Sequence, residues 1–395
     1  MKHKTKQTTM IPFITPDLTG NERRYLDQCI TSTYVSSVGP FVDQFEEAVG
    51  KIAGSNLSAV ATSSGTTGLH VALVALGVGH GDIVIVPSFT FIASANTITH
   101  ANAQPWLIDI DRQHWGICPK TLEETLAHKT VLSAEGELIQ VSSGKRVAAI
   151  MVCHTMGLPA DMQALTAIAT KYGLPILADG AAALGSTYLG KGIGAIGASL
   201  TVVSFNGNKI VTAGGGGAVI GNDAALLAKV RHLSTTARTS VDYSYDQVGY
   251  NYRMTNLQAA VGLAQLERLG SFLTRKVRIR KTYENAFASI SNIYFFPRLV
   301  DVVGTDWVSG ILLDPRIYED IDAIRKSLQS KNIDSRPFWK PVHLQPVYMD
   351  APKTKLDVTE SIWKNILTLP CSSHLTEQEQ RYVITTTKDV LSACL

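Results

Sequence analysis

One lysine in this chain is placed as a reactive amine would be. Thr201 to Ile220 reads TVVSFNGNKIVTAGGGGAVI: a β-branched apolar run, Ser204 and Phe205, the polar turn Asn206-Gly207-Asn208, then Lys209. Four glycines, Gly214 to Gly217, precede the next apolar run. This layout sets an amine on a short turn at the end of a buried strand, where glycine lets another group approach the backbone. Such a lysine is either a solvated residue beside a hairpin or an amine that forms a Schiff base with a carbonyl compound. Asp179 closes an apolar strand thirty residues earlier (209 − 179), followed by Gly180 and three alanines. It reads as a helix cap or ion-pair partner, or as a group at the strand edge where parallel sheets gather ligands. Gly65-Thr66 opens a helix whose apolar residues include Leu69, Val71, Ala72, Leu73 and Leu76. That start is a plain N-cap, or a phosphate site made of N–H groups at the positive end of the helix dipole.

The surrounding elements must bring these three together. Ile83 to Val86 is a buried strand, Pro87 to Thr90 a loop, Phe91 to His100 a helix, and a second strand starts near Pro105 and runs to Asp109. Strand, helix, strand at this spacing is a βαβ unit with parallel pairing. Val147 to Cys153, Met162 to Tyr172 and Pro175 to Asp179 supply another. Later, a helix capped by Thr255 or Asn256 and ended by Gly270 is apolar on two sides, which predicts burial between layers. A basic helix follows with Arg275, Lys276, Arg278, Arg280 and Lys281, read as a solvated face. Beyond Arg275 strands such as Trp307 to Leu313 alternate with helices such as Ile321 to Ser330 and Glu377 to Leu391, around a proline-rich RPFWKPVHLQPVY loop. The predicted division is a mobile tail at 1–10, a large α/β domain at 11–274 and a small α+β domain at 275–395.

Composition narrows the function classes. At 395 residues, 45% hydrophobic and 17% charged, the chain is an ordinary globular protein with room for two domains. A net charge of +3 gives no reason to expect nucleic acid or an anionic membrane as partner. Five scattered cysteines without CxxC spacing suit a reducing cytoplasm and argue against a disulfide framework or a zinc site. The basic start MKHKTKQTTM lacks the apolar run of a signal peptide, and no window has the apolar length of a membrane span. A cytoplasmic protein is expected. GxxxxGK[ST] and GxSxG are absent, which removes the usual signs of a nucleoside triphosphate or a serine hydrolase.

An amine, a carboxylate and a helix start are what pyridoxal 5'-phosphate (PLP) requires: a Schiff-base partner, a partner for the ring nitrogen, and a phosphate holder. Phe91, just after the Pro87 loop, is placed to cover the ring face. Several stretches carry a resemblance in order and spacing: VSSVGPFVDQFE, GTTGLHVALVALGVGHGDIVIVPSFTF, LADGAAALGS, SFNGNK with GGGGAV, GYNYRMTNLQAA and RPFWKPVHLQPVY. From about Ile11 to the last helix the chain resembles the DegT/StrS family of PLP-dependent nucleotide-sugar aminotransferases.

The resemblance implies the type I aminotransferase fold, with a mostly parallel seven-stranded sheet, and a homodimer whose active sites lie at the interface. It implies that Lys209 is the Schiff-base lysine and proton shuttle, and that Asp179 meets the ring nitrogen. Phe91 takes the stacking position, while Gly65, Thr66 and Ser204 hold the phosphate. Asn251 takes the position that reaches the phosphate from the neighbouring subunit. Glutamate is the implied donor and a nucleotide-linked 4-keto-6-deoxy sugar the implied acceptor, in surface polysaccharide synthesis. Two positions depart from the family pattern: Ala178 stands in place of glutamate, and Ala182 in place of a polar residue beside the ring. A sugar dehydratase on the same fold is the alternative enzyme, against which Lys209 stands, since histidine replaces the lysine there. A non-catalytic PLP-binding regulator is the alternative of another class. His343, Tyr34 and the basic helix are further candidates for touching the sugar nucleotide, each with a packed or solvated role as the other reading.

Overall fold

The computed structural model describes residues 9–394. Seven strands make the central sheet: β1 (Ser58–Thr62), β2 (Ile83–Pro87), β3 (Gln104–Ile108), β4 (Val147–Cys153), β5 (Ile176–Asp179), β6 (Leu200–Ser204) and β7 (Gly217–Gly221). Their order is β1-β7-β6-β5-β4-β2-β3. Only β7 runs against its neighbours, so the expected mostly parallel sheet is present. β2 and β4 are buried at every position, as a parallel strand covered on both faces must be. Alternation splits β2 between two cores: Ile83 and Ile85 join one, with Phe45 and Ala260, while Val84 and Val86 join the other, with Leu69 and Ile98. The second core belongs to helices α1 (Gly65–Ala75) and α2 (Ile92–His100), which enter from the sheet edge where β2, β4, β5 and β6 end.

The opposite face carries the helix Pro40–Ala53 and α3 (Asn256–Leu266). Thr255 caps α3 with a full capping box alongside Gln258, which leaves Asn256 for another task. The Asn256 Oδ1 accepts from the Phe41 N–H at 2.9 Å and Nδ2 donates to the Tyr34 carbonyl at 2.8 Å. Gly39, at φ +153°, lets the chain pass, because a Cβ there would stand 2.4 Å from the Asn256 side chain. The Ser36–Pro40 loop is thus pinned to α3 by one buried amide. Asn256→Ala leaves these partners unpaired and is expected to cost about 2–4 kcal/mol, read as a drop in the denaturant midpoint at unchanged slope.

Three expectations meet a different structure. Gly270 does not end α3: that helix stops at Leu266, and Gly270 lies in the first turn of α4 (Leu269–Phe287). The break sits at Glu267 and Arg268, where Arg268 turns to a bidentate pair with Asp17 and Glu267 receives Asn21 and Tyr25. These partners lie some 250 positions away in sequence, outside the reach of a local reading. The basic helix is not uniformly solvated either. Lys276 is buried and donates to the Cys371 carbonyl at 2.6 Å; Arg280 is buried between Asp306, at 2.7 Å, and Glu284. Only Arg275, Arg278 and Lys281 keep the expected exposure.

The expected division at 274/275 falls inside α4. Leu269 and Phe272 pack in a core of the large sheet, whereas Ile279, Tyr283 and Phe287 pack with the C-terminal strands Ser309–Leu313 and Ile366–Leu369. Ile11 exchanges backbone bonds with Asn332 and Asp334 and joins the C-terminal core. The expected tail at 1–10 lies largely outside the described residues. No helix among the described residues is long and apolar enough to cross a membrane, and all five cysteines are free thiols.

Candidate active site

The ends of β4, β5 and β6 and the starts of α1 and α2 open on one cleft of about 320 Å³. Gly65, Thr66, Phe91, Asp179, Ser204 and Lys209 all line it, so six of the seven residues singled out from the sequence come together. Asn251 does not line this chain's cleft. It is exposed on a segment that bridges to Thr235, next to Tyr252, whose carbonyl accepts from the Ser63 N–H.

Each wall follows from its local sequence. The Ser64 Oγ accepts from the Thr67 N–H, and the Thr67 hydroxyl answers the Ser64 N–H, closing a capping box at the start of α1. A helix gives the first-turn N–H groups no carbonyl partner of their own, so this end presents donors and positive potential to the cleft. Gly65 is required for close approach: a Cβ there would stand 2.9 Å from the Ser204 Cβ and 3.2 Å from its Oγ. Helix start and Ser204 together form a cradle of phosphate size and chemistry.

Asp179 is 8% exposed. Its Oδ2 accepts from the Ser94 hydroxyl at 2.6 Å and its Oδ1 from the Ala181 N–H at 3.1 Å. Since that hydroxyl donates to a carboxylate, Ser94 receives from Thr90, whose Oγ1 lies 2.8 Å away. Burial pushes the Asp179 carboxyl above its usual range; the Ser94 and Ala181 donors and the Lys209 charge work against that rise. Ser94→Ala removes the first of these donors, so the carboxyl should ionise at higher pH. The acid limb of the pH–rate profile is expected to move upward and kcat to fall about tenfold.

Lys209 follows the Asn206–Asn208 turn, and its N–H closes that turn on the Asn206 carbonyl at 3.0 Å. Burial lowers its amine from 10.5 to about 8, with Asp179 opposing. The neutral nucleophilic form is therefore reached at a pH where an exposed lysine is almost wholly protonated. The Nζ lies 3.9 Å from the centre of the Trp307 ring. Phe91, at the N-cap of α2, is 53% exposed, and its ring centre is 5.9 Å from that of Trp339.

Sequence reading missed Ser94, Trp307 and Trp339. Ser94 had a signal: it is a hydroxyl in the first turn of the helix that starts beside Phe91, at the strand edge where Asp179 was expected. Trp307 had none, since it arrives from a segment about a hundred residues beyond the lysine. His343, a candidate for substrate contact, is packed away instead: its Nδ1 pairs with the Ser88 hydroxyl at 2.7 Å and its Nε2 with Glu360 at 3.1 Å. Tyr34 stays half exposed. The departures are in place, Ala178 inside β5 and Ala182 on the cleft wall, where it offers only a methyl group.

The DegT/DnrJ/EryC1/StrS aminotransferase family model matches residues 16–388. The chain belongs to this family. It is 38% identical over 379 residues to GDP-perosamine synthase of Caulobacter vibrioides, covering 95% of this chain and 97% of that one. To GDP-perosamine synthase of Escherichia coli O157:H7 it is 36% identical, with 94% and 96% covered. Among solved structures, a DegT DnrJ EryC1 StrS aminotransferase from Brucella abortus superimposes with a TM-score of 0.84 at 27% identity, covering 93% and 95%. The Streptococcus pneumoniae protein Spr1654, in its PLP form, gives 0.87 at 26% identity, with 98% and 100% covered. This chain is a PLP-dependent aminotransferase with the fold expected from its sequence, and the amine, buried carboxylate and glycine-lined cradle of its cleft fit that cofactor.

Proposed function

We propose that this aminotransferase moves an amino group from glutamate to a nucleotide-linked 4-keto-6-deoxy sugar, in the synthesis of amino sugars for surface polysaccharide. The observation that carries the reading is the partly buried Lys209 amine, its pKa lowered, sharing a cleft with buried Asp179 in a chain whose relatives include GDP-perosamine synthases. When bound, PLP supplies an aldehyde that captures amines and a protonated ring that draws electrons from the substrate carbon.

The chain's own residues then divide the work. The first turn of α1, with Gly65 and Thr66, and the Ser204 hydroxyl hold the phosphate. Asp179, whose ionised form the Ser94 and Ala181 donors favour, is the group that would bind the ring N–H and hold the proton there. Phe91 would cover one ring face and, packed against Trp339, would narrow the access of water. Lys209 Nζ is the group that would anchor the cofactor between turnovers; as a free amine it would take the proton from the substrate carbon and deliver it across the carbon–nitrogen bond to the cofactor side. Ala182 offers the cleft a methyl group where the family pattern has a polar side chain, which bears on rate and on acceptor choice.

Assembly as a homodimer in the cytoplasm completes the reading. Val241, Tyr243, Tyr245 and Val248 stand exposed on the loop before Asn251, an apolar surface suited to a second copy. In that arrangement Asn251 enters the neighbour's cleft. The test is absorbance of the purified protein with PLP, then glutamate, then keto-sugar nucleotides, with product mass read at the end. Bleaching by glutamate and recovery with a GDP- or other nucleotide-linked 4-keto sugar are expected. A protein that bleaches with glutamate but recovers only with ordinary keto acids would overturn the sugar assignment.

A further inference from the structure

The structure assigns to Trp307 the positioning of the free Lys209 amine: its indole face is the seat the amine occupies when it is not bonded to the cofactor. The Nζ stands 3.9 Å from the ring centre, within the range of a cation–π contact. The seat itself is fixed. Indole Nε1 donates to the Asn208 carbonyl at 2.6 Å, and Asn208 is the residue before the lysine, so the ring is tied to the turn that carries the amine.

The neighbours of Trp307 are fixed as well. The Thr305 hydroxyl donates to the Ala182 carbonyl at 2.7 Å, on the turn that follows Asp179. Asp306 pairs with buried Arg280 at 2.7 Å, and the Trp307 carbonyl accepts from the Cys371 thiol. Residues 305–307 therefore strap across the Asp179 turn and the Lys209 turn together, and Trp307 is 4% exposed. Against this strap the flexible lysine chain is the moving part.

This rests on the proposed amino transfer. With PLP bound, displacement by the donor nitrogen would break the Nζ–carbon bond and release Nζ with its electron pair as a neutral amine, the balancing proton coming from the donor nitrogen. That free amine would then take the proton from the donor's α-carbon, the bonding pair being left to the electron sink that PLP would supply. An ammonium is then formed beside the indole face, where the ring quadrupole favours it. Trp307 holds the amine beside the reacting carbon and steadies the charge it acquires, so it acts on proton transfer and not on donor binding.

Two variants separate the parts of this role. Trp307→Leu removes the ring and its N–H; Trp307→Phe keeps a smaller, weaker ring face and loses the bond to Asn208. In single-turnover reactions of PLP-loaded protein with glutamate, Trp307→Leu should slow the step roughly tenfold or more, with a raised isotope effect for α-deuterated glutamate. The half-saturating glutamate concentration should change little, and Trp307→Phe should recover most of the rate. A second reading uses the protein without PLP. Trinitrobenzenesulfonate modification of Lys209, followed against pH by peptide mass spectrometry, should show the amine titrating at lower pH in Trp307→Leu than in the parent. Asp179, the charged group facing it, is unchanged in both. An unchanged titration together with an unchanged single-turnover rate overturns the assignment, as does a loss confined to half-saturation. Failure of the amino-transfer reading looks different: the parent protein itself would not respond to glutamate, while the amine titration would still report on the pairing.

Discussion

Lys209→Ala protein should carry out no measurable amino transfer, a loss on the order of 10⁵-fold or more, because one atom serves as both cofactor anchor and proton carrier. Purified parent protein with PLP should show a visible band that glutamate bleaches; the variant should show neither the lysine-linked band nor the change. The same residue carries a cost in the empty protein. Burial brings its amine down to about 8 in the folded protein, against 10.5 for a free lysine. Between those values the unfolded chain binds more protons, so stability should rise with pH across that window; below about 8 the folded protein holds a buried ammonium. Lys209→Met, close in volume and uncharged, should therefore stabilise the PLP-free protein at pH 7 by up to roughly 3 kcal/mol and flatten the rise between pH 8 and 10.5. A denaturant series at pH 7 and pH 10 reads both effects. A Lys209→Met protein less stable than the parent at pH 7 would contradict the buried-charge account.

The second large effect is expected at Asp179. Asp179→Asn keeps the shape of the side chain and replaces a carboxylate by an amide that cannot hold a proton on the ring nitrogen. Turnover should fall about 10²–10⁴-fold, with PLP still captured by Lys209. The contrast with Lys209→Ala is the point of the experiment: one variant keeps the cofactor bond and loses electron withdrawal, the other loses the bond. A variant with parental single-turnover rates would show that the ring nitrogen needs no carboxylate here.

Much of the site was legible because its chemistry sits on sharp local signals. Lys209 is framed by a strand and glycines, Asp179 ends an apolar run, and Gly65-Thr66 starts a helix. The parallel sheet then brings all three to one edge, since successive strands of a βαβ unit end on the same side. What stayed hidden depended on distant partners. Lys276 and Arg280 read as solvated charges until the Cys371 carbonyl and Asp306 meet them. Gly270 read as a helix end because glycine is common there, whereas Arg268 and Glu267 set the break through residues at the start of the chain. Trp307 was invisible for the same reason, reaching Lys209 through the fold alone.

Helix α4 has a consequence beyond architecture. It is shared between the large-sheet core and the C-terminal core, and two more threads cross the same boundary: Ile11 with the Asn332–Asp334 segment, and Val302–Val303 paired with Thr187–Tyr188. A hinge at this boundary would have to melt a helical turn. Melting of either half strips apolar surface from the other, so calorimetric and van't Hoff enthalpies should agree and the chain should come apart in one step. Opening for substrate is then left to side chains and loops at the rim, where Phe91 is 53% exposed.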